Sequence, residues 1–175
     1  PRFVRDVFEL PEVQGGGYVA RSFAVGFNNG HSILFDLDTA TVRQWGYGDF
    51  ARQRAEGKSW FWDLAGTNLL PGLKEAMGWR IREQGTTDWR TLSPVRAEET
   101  VLLEPSKWSY RVEDGPNGNQ VVLTFHGQLT WQEQTVPLEF REVWSTLPGQ
   151  ASSSGWTRQV TVTGLPAHLE LAQVI

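Results

Sequence analysis

Apolar and polar residues alternate along the second half of the chain. Residues 121–129 place valine, leucine and phenylalanine on one side and mainly polar residues on the other, and residues 136–140 and 156–163 repeat the pattern. A period of two residues is that of a β-strand with one buried face. No apolar period of 3.6 residues continues beyond a turn or two. The pattern therefore predicts an all-β fold, an antiparallel β-sandwich.

A central hairpin near the start of the chain follows from its turn signals. Two apolar runs, residues 32–35 and 42–47, flank a segment rich in aspartate and threonine, which is the signature of a β-hairpin. Residues 18–25 predict the strand that precedes it. Further short strands are predicted at residues 79–82, 88–92, 101–103, 108–112 and 169–175.

Residues 50–78 form the longest stretch without a regular pattern. They contain Gly-Thr-Asn and Pro-Gly turn signals, and a short helical turn fits only near residues 73–77. Irregular segments of about 20 residues are uncommon in compact domains and are often functional. We therefore expect a long irregular loop region here.

The domain organisation follows from the length of the chain and from its ends. A chain of 175 residues fits one domain with a core of its own. Residues 1–17, which end in three glycines, predict a lead-in strand or an arm from a preceding module. The chain begins at Pro1 without methionine and stops within an apolar run. We therefore expect a single β-sandwich domain, residues 1–175, that is a fragment of a larger multidomain protein.

Composition excludes several classes of function. The net charge of −4 argues against a nucleic-acid partner, which requires a basic surface. The absence of cysteine excludes disulfides, thiolate zinc sites, a cysteine nucleophile and covalent c-type haem within this chain. No apolar run approaches the ~20 residues of a membrane helix, so we expect no membrane insertion. No P-loop, G-x-G-x-x-G or G-x-S-x-G motif is present.

The three histidines predict no metal site. His31 lies in a predicted turn, His126 on the polar side of a strand and His168 in a loop after a proline. None has a second histidine at ligand spacing, so a metal site would have to be assembled by the fold. We expect neither a metal nor a cofactor in this chain, and surface or supporting roles for the histidines.

Arg158 is a cation on an apolar strand face. Alternation places it with Trp156 and Val160, on the side that should be buried. A lone buried cation is very costly, so Arg158 should find a carboxylate. A hairpin that places Trp144 opposite Trp156 puts Glu142 opposite Arg158. We predict a structural ion pair between Glu142 and Arg158.

Tryptophans outside the strongest strands are candidate ligand contacts. The chain has 9 tryptophans. An exposed indole beside a carboxylate suits the flat C–H face of a sugar ring. The alternative is that these rings plug the open edge of the sandwich. The candidate ligand-binding residues are Trp60, Trp62, Asp63, Trp79 and Trp89. Five tryptophans on strands are expected in core or edge packing: Trp45, Trp108, Trp131, Trp144 and Trp156.

Paired carboxylates give a catalytic alternative. A glycoside hydrolase needs two aspartate or glutamate side chains as acid and base. Asp49 and Asp63 lie in aromatic segments and are the candidates for that chemistry.

Residues 26–50 also resemble a known type of domain. The matching residues are Val25-Gly26-Phe27, Gly30, Phe35-Asp36 and the segment Trp45-Gly46-Tyr47-Gly48-Asp49-Phe50, followed later by Glu142, Pro148-Gly149 and Arg158 to Val162. These residues resemble an accessory β-sandwich domain of large exported bacterial proteins that also carry c-type cytochrome and sugar-dehydrogenase-like propeller modules. The chain departs from that pattern in having three residues, instead of one, between the glycine after Trp45 and Phe50. The resemblance covers about residues 20–50 and 140–164 and supplies no catalytic residues.

The resemblance implies an extracytoplasmic protein, periplasmic or secreted, in which this domain has no haem of its own. Three hypotheses follow. The first is a non-catalytic accessory module that binds carbohydrate through Trp60 and Trp62. The second is a glycan-active enzyme that uses Asp49 or Asp63. The third is a structural docking domain for a neighbouring domain of the same polypeptide, such as a c-type cytochrome module.

Overall fold

The computed structural model describes residues 1–54, 60–74, 78–92, 102–150 and 154–173, and within them the chain is almost entirely β. One short 3-10 helix, Glu12–Gln14, accompanies the strands. The strands are β1 (Arg2–Val4), β2 (Phe8–Glu9), β3 (Tyr18–Val19), β4 (Ser22–Gly26), β5 (His31–Asp36), β6 (Thr41–Tyr47), β7 (Ala51–Gln53), β8 (Trp62–Leu64), β9 (Thr67–Asn68), β10 (Trp79–Glu83), β11 (Arg90–Thr91), β12 (Leu102–Gly115), β13 (Gly118–Trp131), β14 (Gln134–Leu147), β15 (Gly155–Thr163) and β16 (Leu169–Gln173). The predicted all-β sandwich class is confirmed.

The chain forms two compact units. The first comprises residues 1–76 and 146–156, and the second comprises residues 77–145 and 157–175. Two contact units can belong to one domain or to two, so the expectation of a single domain stays a prediction.

The first unit contains two sheets. One has the strand order β1-β4-β5-β6-β9 and the other has the order β3-β2-β8-β7. Both sheets contribute to one buried cluster, made of Phe8, Leu10, Val19, Ala24, Leu34, Phe50 and Leu64. The pairs are antiparallel except β2 with β8, which run parallel. Burial of apolar faces from both sheets gives this unit its core.

The start of the chain is part of this first unit. Strand β1 pairs with β4, and Phe8 on β2 is fully buried. Residues 1–17 therefore contribute strands β1 and β2 to this unit. The predicted strand at residues 18–25 is divided into β3 and β4, which belong to different sheets.

The central hairpin forms as predicted. Strands β5 and β6 pair with Asp36 opposite Thr41, so the loop between them is residues 37–40. The register shifts between Leu34 and Phe35, which leaves Arg43 as an extra residue on β6. The region expected to be irregular, residues 50–78, contains the short strands β7, β8 and β9. The predicted helical turn falls partly on residues 75–77, which lie outside the described residues.

The second unit also contains two sheets, in the orders β12-β13-β14-β15 and β11-β10-β16. Trp79 of β10 meets Phe140 of β14 edge to face, with ring centroids 5.4 Å apart, and Phe140 stacks on Phe125 at 4.6 Å. Strand β12 is continuous over residues 102–115, where the sequence predicted two separate strands. A bulge between Ser106 and Ser109 explains the apparent gap, because it breaks the alternation without ending the strand. Val101 lies outside the described residues.

Among the described residues, no helix is long and apolar enough to cross a membrane.

Candidate functional site

Arg158 and Glu142 form the predicted ion pair inside the second unit. The Arg158 side chain is 7% exposed, and its Nε and Nη2 donate to the two carboxylate oxygens of Glu142 at 2.5 and 3.0 Å. Trp144 Nε1 donates to the same carboxylate at 2.9 Å, and Arg158 Nη1 donates to Gln173 Oε1. Because every one of these partners is a neighbouring protein side chain, the pair has a structural role.

Neither of the two predicted ligand residues of the second unit is an exposed tryptophan. Trp79 is 6% exposed and lies on β10 in the core, so little of its ring is open to a ligand. The alternation of β10 buries it, a pattern the sequence also contained. Trp89 is half-buried, and the Arg82 guanidinium lies 4.4 Å from its ring centroid. That cation–π contact occupies one face of the Trp89 ring.

Trp60 and Trp62 of the first unit have different environments. Trp60 is 67% exposed. Trp62 lies on β8, stacks on buried Phe8 with centroids 6.4 Å apart and donates from Nε1 to Asp6 Oδ2 at 3.2 Å. Trp62 therefore faces the core, and Trp60 is the residue of this pair with a free aromatic surface.

The strand register of the four-stranded sheet brings four side chains into one row. Glu9 pairs with Tyr18, Arg52 pairs with Asp63, and the parallel pairing of Phe8 with Trp62 puts Glu9 beside Asp63. Alternation places Phe8 and Trp62 on the core side. The opposite side of the sheet therefore carries Tyr18, Glu9, Asp63 and Arg52. We call this side, with Arg54 and Phe61, the charged face.

Ion pairs connect the charged side chains of this face. Arg52 donates from Nε and Nη2 to the two oxygens of Asp63, at 2.9 and 3.2 Å. Arg54 Nη1 donates to Glu9 Oε2 at 2.7 Å, and its Nε lies 3.4 Å from Asp63 Oδ2. Both arginines keep substantial exposure, so the cluster presents fixed donors and acceptors to solvent.

Two aromatic rings lie on the same face. Tyr18 is 60% exposed and meets Phe61 edge to face, with centroids 4.9 Å apart. Residues 43 positions apart in sequence form this pair because β2 joins β3 to β8 in the sheet. Sequence reasoning missed it. The period-two pattern of residues 51–54 and 61–64 was the available signal, because it predicts a hairpin with Arg52, Arg54, Phe61 and Asp63 on one side.

A cleft of about 470 Å³ adjoins the charged face. Glu9, Arg52, Arg54 and Asp63 line one part of it, and Gln44, Asn68 and residues 10–12 and 64–66 line the rest. Gln44 is 2% exposed, and its Oε1 has no hydrogen-bond partner among the described residues. A buried acceptor without a partner costs free energy, which a ligand hydroxyl could recover.

The amide of Asn68 is held in place on the cleft wall. Its Nδ2 donates to Gln14 Oε1 at 2.7 Å, and its Oδ1 accepts from the Leu70 amide at 3.0 Å. Gln14 is itself fully buried and donates to the carbonyl oxygens of Arg43 and Leu73, at 2.9 and 2.7 Å. This network fixes the wall of the cleft before any ligand arrives.

The two catalytic candidates lie in different surroundings. Asp63 has both oxygens engaged by arginines, and Asp49 lies exposed after β6. Among the described residues, no hydrogen bond or ion pair joins Asp49 to Asp63. An acid–base pair needs oxygens free to exchange protons with substrate, and the arginines leave Asp63 little such freedom.

His31 lies beside a serine in an arrangement that resembles a catalytic dyad. It is buried at the start of β5, not in a turn as the sequence suggested. Its Nε2 is 3.0 Å from Ser154 Oγ, and its Nδ1 is 3.0 Å from Trp45 Nε1. An indole N–H can only donate, so Nδ1 must accept and Nε2 must carry the proton. That tautomer cannot take a proton from Ser154, so the pair does not activate a nucleophile.

Comparison of this chain with protein families, with curated proteins and with solved structures finds no match. In the described part of the chain, no group of three or more histidine, cysteine or carboxylate side chains could hold a metal ion.

Proposed function

We propose that this chain is a non-catalytic accessory module that binds carbohydrate, and that the charged face and its cleft are the binding site. One observation carries the proposal: the pair of exposed Tyr18 and half-buried Phe61 lies on the same sheet face as the ion-paired cluster of Glu9, Arg52, Arg54 and Asp63. The adjacent residue Trp60 is 67% exposed, and its carbonyl oxygen accepts from Gln53 Nε2 at 3.1 Å.

Carbohydrate is the ligand class that suits this combination of groups. A sugar ring has apolar C–H faces, which pack on aromatic rings, and hydroxyls on its edge, which need donors and acceptors in fixed directions. The arginines hold the carboxylates in place, so little order is lost when a ligand binds. The Oε1 of Gln44, which has no partner in the part of the chain that the structure describes, adds an acceptor within the cleft.

The wider setting of the module is part of the same proposal. The resemblance of residues 20–50 and 140–164 supports an exported, extracytoplasmic multidomain protein with a c-type cytochrome module as a neighbour. Under this proposal the module supplies sugar binding, and neighbouring domains supply any redox chemistry.

The test is glycan-array screening followed by calorimetry with the best glycan. Tyr18→Ala should weaken binding about tenfold, since an aromatic contact contributes ~1–1.5 kcal/mol beyond the area it buries. Arg54→Gln, which releases Glu9 and Asp63 from one shared cation, should weaken it by a similar factor. Tyr110→Ala is the matched control, because Tyr110 is an exposed tyrosine of the second unit.

Two outcomes would contradict the proposal. One is the absence of binding to any glycan by the folded protein. The other is binding that Tyr18→Ala and Arg54→Gln leave unchanged. Glycan turnover that Asp63→Asn abolishes would instead support the enzyme hypothesis.

A further inference from the structure

The second unit has a polar cleft of its own. Its volume is about 380 Å³, and it lies on the four-stranded sheet of β12 to β15. The buried side of this sheet carries Leu123, Phe125, Leu138 and Phe140. Alternation therefore directs the intervening polar residues to the opposite side, where the cleft lies.

Two rows of polar residues cross the sheet at the cleft. In the first row Ser109 pairs with Thr124, and Thr124 pairs with Arg141. In the second row His126 pairs with Glu139. Thr161 and Thr163 of β15 also line the cleft. The Ser109 and Thr124 hydroxyls lie 2.7 Å apart, so one of them keeps a hydrogen to donate elsewhere.

A β-bulge brings a lysine to this cleft. Ser106 pairs with His126 and Ser109 pairs with Thr124, so two residues of β12 face one residue of β13. The Trp108 side chain lies on the buried side of the sheet and stacks on Phe125, with ring centroids 3.9 Å apart. Lys107 has a positive φ of 55° and lines the cleft. Bulges re-aim side chains, and a non-glycine residue at positive φ is strained, which is the pattern found at functional sites.

The charge of the cleft favours an anion. The cleft is lined by two cations, Lys107 and Arg141, and by one carboxylate, Glu139. The imidazole of His126 also lines it. Within the described residues, neither Lys107 nor Arg141 has a carboxylate oxygen within salt-bridge distance. Elsewhere in this unit Arg82, Arg111 and Arg158 each pair with a glutamate. Arg141 acts on the Glu113 carboxylate through its charge without forming a salt bridge to it. Two cations without a salt-bridge partner among the described residues, on a hydroxyl-lined concave surface, attract an oxyanion.

We propose that this cleft binds a tetrahedral oxyanion, sulfate or phosphate, either free or carried as an ester on a sugar. Arg141 presents a planar fork of donors, Lys107 a point charge, and Ser109, Thr124, Thr161 and Thr163 supply hydroxyl donors. The inference does not depend on the charged face of the first unit, because its residues belong to the second unit alone.

The experiment is an NMR titration of the full chain labelled with nitrogen-15. The probes are inorganic sulfate, inorganic phosphate and glucose 6-phosphate, with glucose and sodium chloride at matched ionic strength as controls. We expect saturable amide shifts at residues 107–109, 124–126 and 139–141. Saturation by glucose 6-phosphate at a lower concentration than by phosphate would assign the site to the sugar ester, and the reverse would assign it to the free ion.

Three variants make the test specific. Arg141→Gln should raise the dissociation constant about tenfold, as expected for the loss of one charge-assisted contact. Lys107→Gly removes the second cation and suits the positive φ, so the bulge is kept. Arg80→Gln is the matched control, because Arg80 is exposed on the other sheet of the same unit. Shifts that sodium chloride reproduces, or affinities that Arg141→Gln and Lys107→Gly leave unchanged, would overturn the proposal.

Discussion

The buried Arg158–Glu142 pair shows how one residue can be predicted from a pattern. Strand β15 alternates between half-buried and exposed residues, and Arg158 lies on the half-buried side. Desolvation makes an unpaired cation there very costly, so the sequence already required a carboxylate nearby. Glu142 was the candidate on the neighbouring strand, and it is the partner in the structure. What the sequence did not indicate was the extra donor, Trp144, and the amide acceptor, Gln173.

Removing one member of this pair should be far more damaging than removing both. Arg158→Met leaves the fully buried Glu142 carboxylate without its cation and should lower the free energy of unfolding by about 3–5 kcal/mol. The double variant Arg158→Met with Glu142→Leu should recover much of that loss, since no buried charge remains. Urea denaturation of the single and double variants measures the coupling. A single-variant loss as small as that of a surface pair, about 1 kcal/mol or less, would show that the pair is not buried in solution.

The contacts of the charged face, in contrast to the Arg158–Glu142 pair, could not be predicted from the pattern of residues. Tyr18 and Phe61 touch, and Glu9 lies beside Asp63, only because β2 and β8 pair in parallel. Each strand has two or three residues, too few for a periodic pattern to be read with assurance. The sequence therefore indicated Asp63 and Trp60 as candidate ligand contacts but not the residues that surround them.

At the scale of elements, the long strands were the most predictable part of the fold. Strands β13, β14 and β15 bury alternate residues, so hydrophobic patterning fixes both their position and their faces. The bulge in β12 and the division of residues 18–25 into two strands depend on partner strands, which local patterning does not reveal.

The turn between β13 and β14 is strained and can be improved. Its residues Gln132 and Glu133 have φ values of 47° and 65°, the left-handed conformation that a two-residue hairpin turn requires and that glycine adopts without steric cost. Glu133→Gly should therefore raise the free energy of unfolding by roughly 1 kcal/mol. Thermal and urea denaturation would measure the gain.

Gly118, at the turn between β12 and β13, offers the reverse control. It has a φ of 104°, and an added Cβ would meet open space, so Gly118→Ala tests backbone conformation without crowding. It should destabilise the protein by about 1 kcal/mol or more. If Glu133→Gly destabilises as well, the left-handed turn is not the conformation in solution.

At the scale of the whole molecule, the sheet orders could not be read from the sequence. Patterning states which side of a strand is buried, but it does not state which strand lies next to which. The first unit joins β2 to β8 across more than 50 residues, and the second joins β10 to β16 across more than 80. The β2–β8 pairing assembles the charged face, so that surface was beyond local reasoning even where single residues were not. The cleft of the second unit lies instead on β12 to β15, which are neighbours both in sequence and in the sheet.

The buried His31 should make global stability depend on pH. Its Nδ1 accepts from Trp45 Nε1, and burial lowers its pKa below the ordinary value. Protonation would place two N–H groups against each other, so the folded state resists the proton that the unfolded state accepts near pH 6.5. The unfolded state then binds more protons as pH falls below that value. The free energy of unfolding should drop by up to about 1.4 kcal/mol per pH unit until the folded state also titrates.

Comparison of variants isolates this contribution. Asp36 acts in the opposite sense at lower pH, because burial raises its pKa and its folded state takes up the proton first. That effect is common to wild type and His31→Gln, so the difference between their stabilities from pH 7.5 down to pH 5 reports His31. His126→Gln is the matched control, because His126 is exposed. A His31→Gln variant that keeps the wild-type pH slope would show that the imidazole is not held neutral by Trp45.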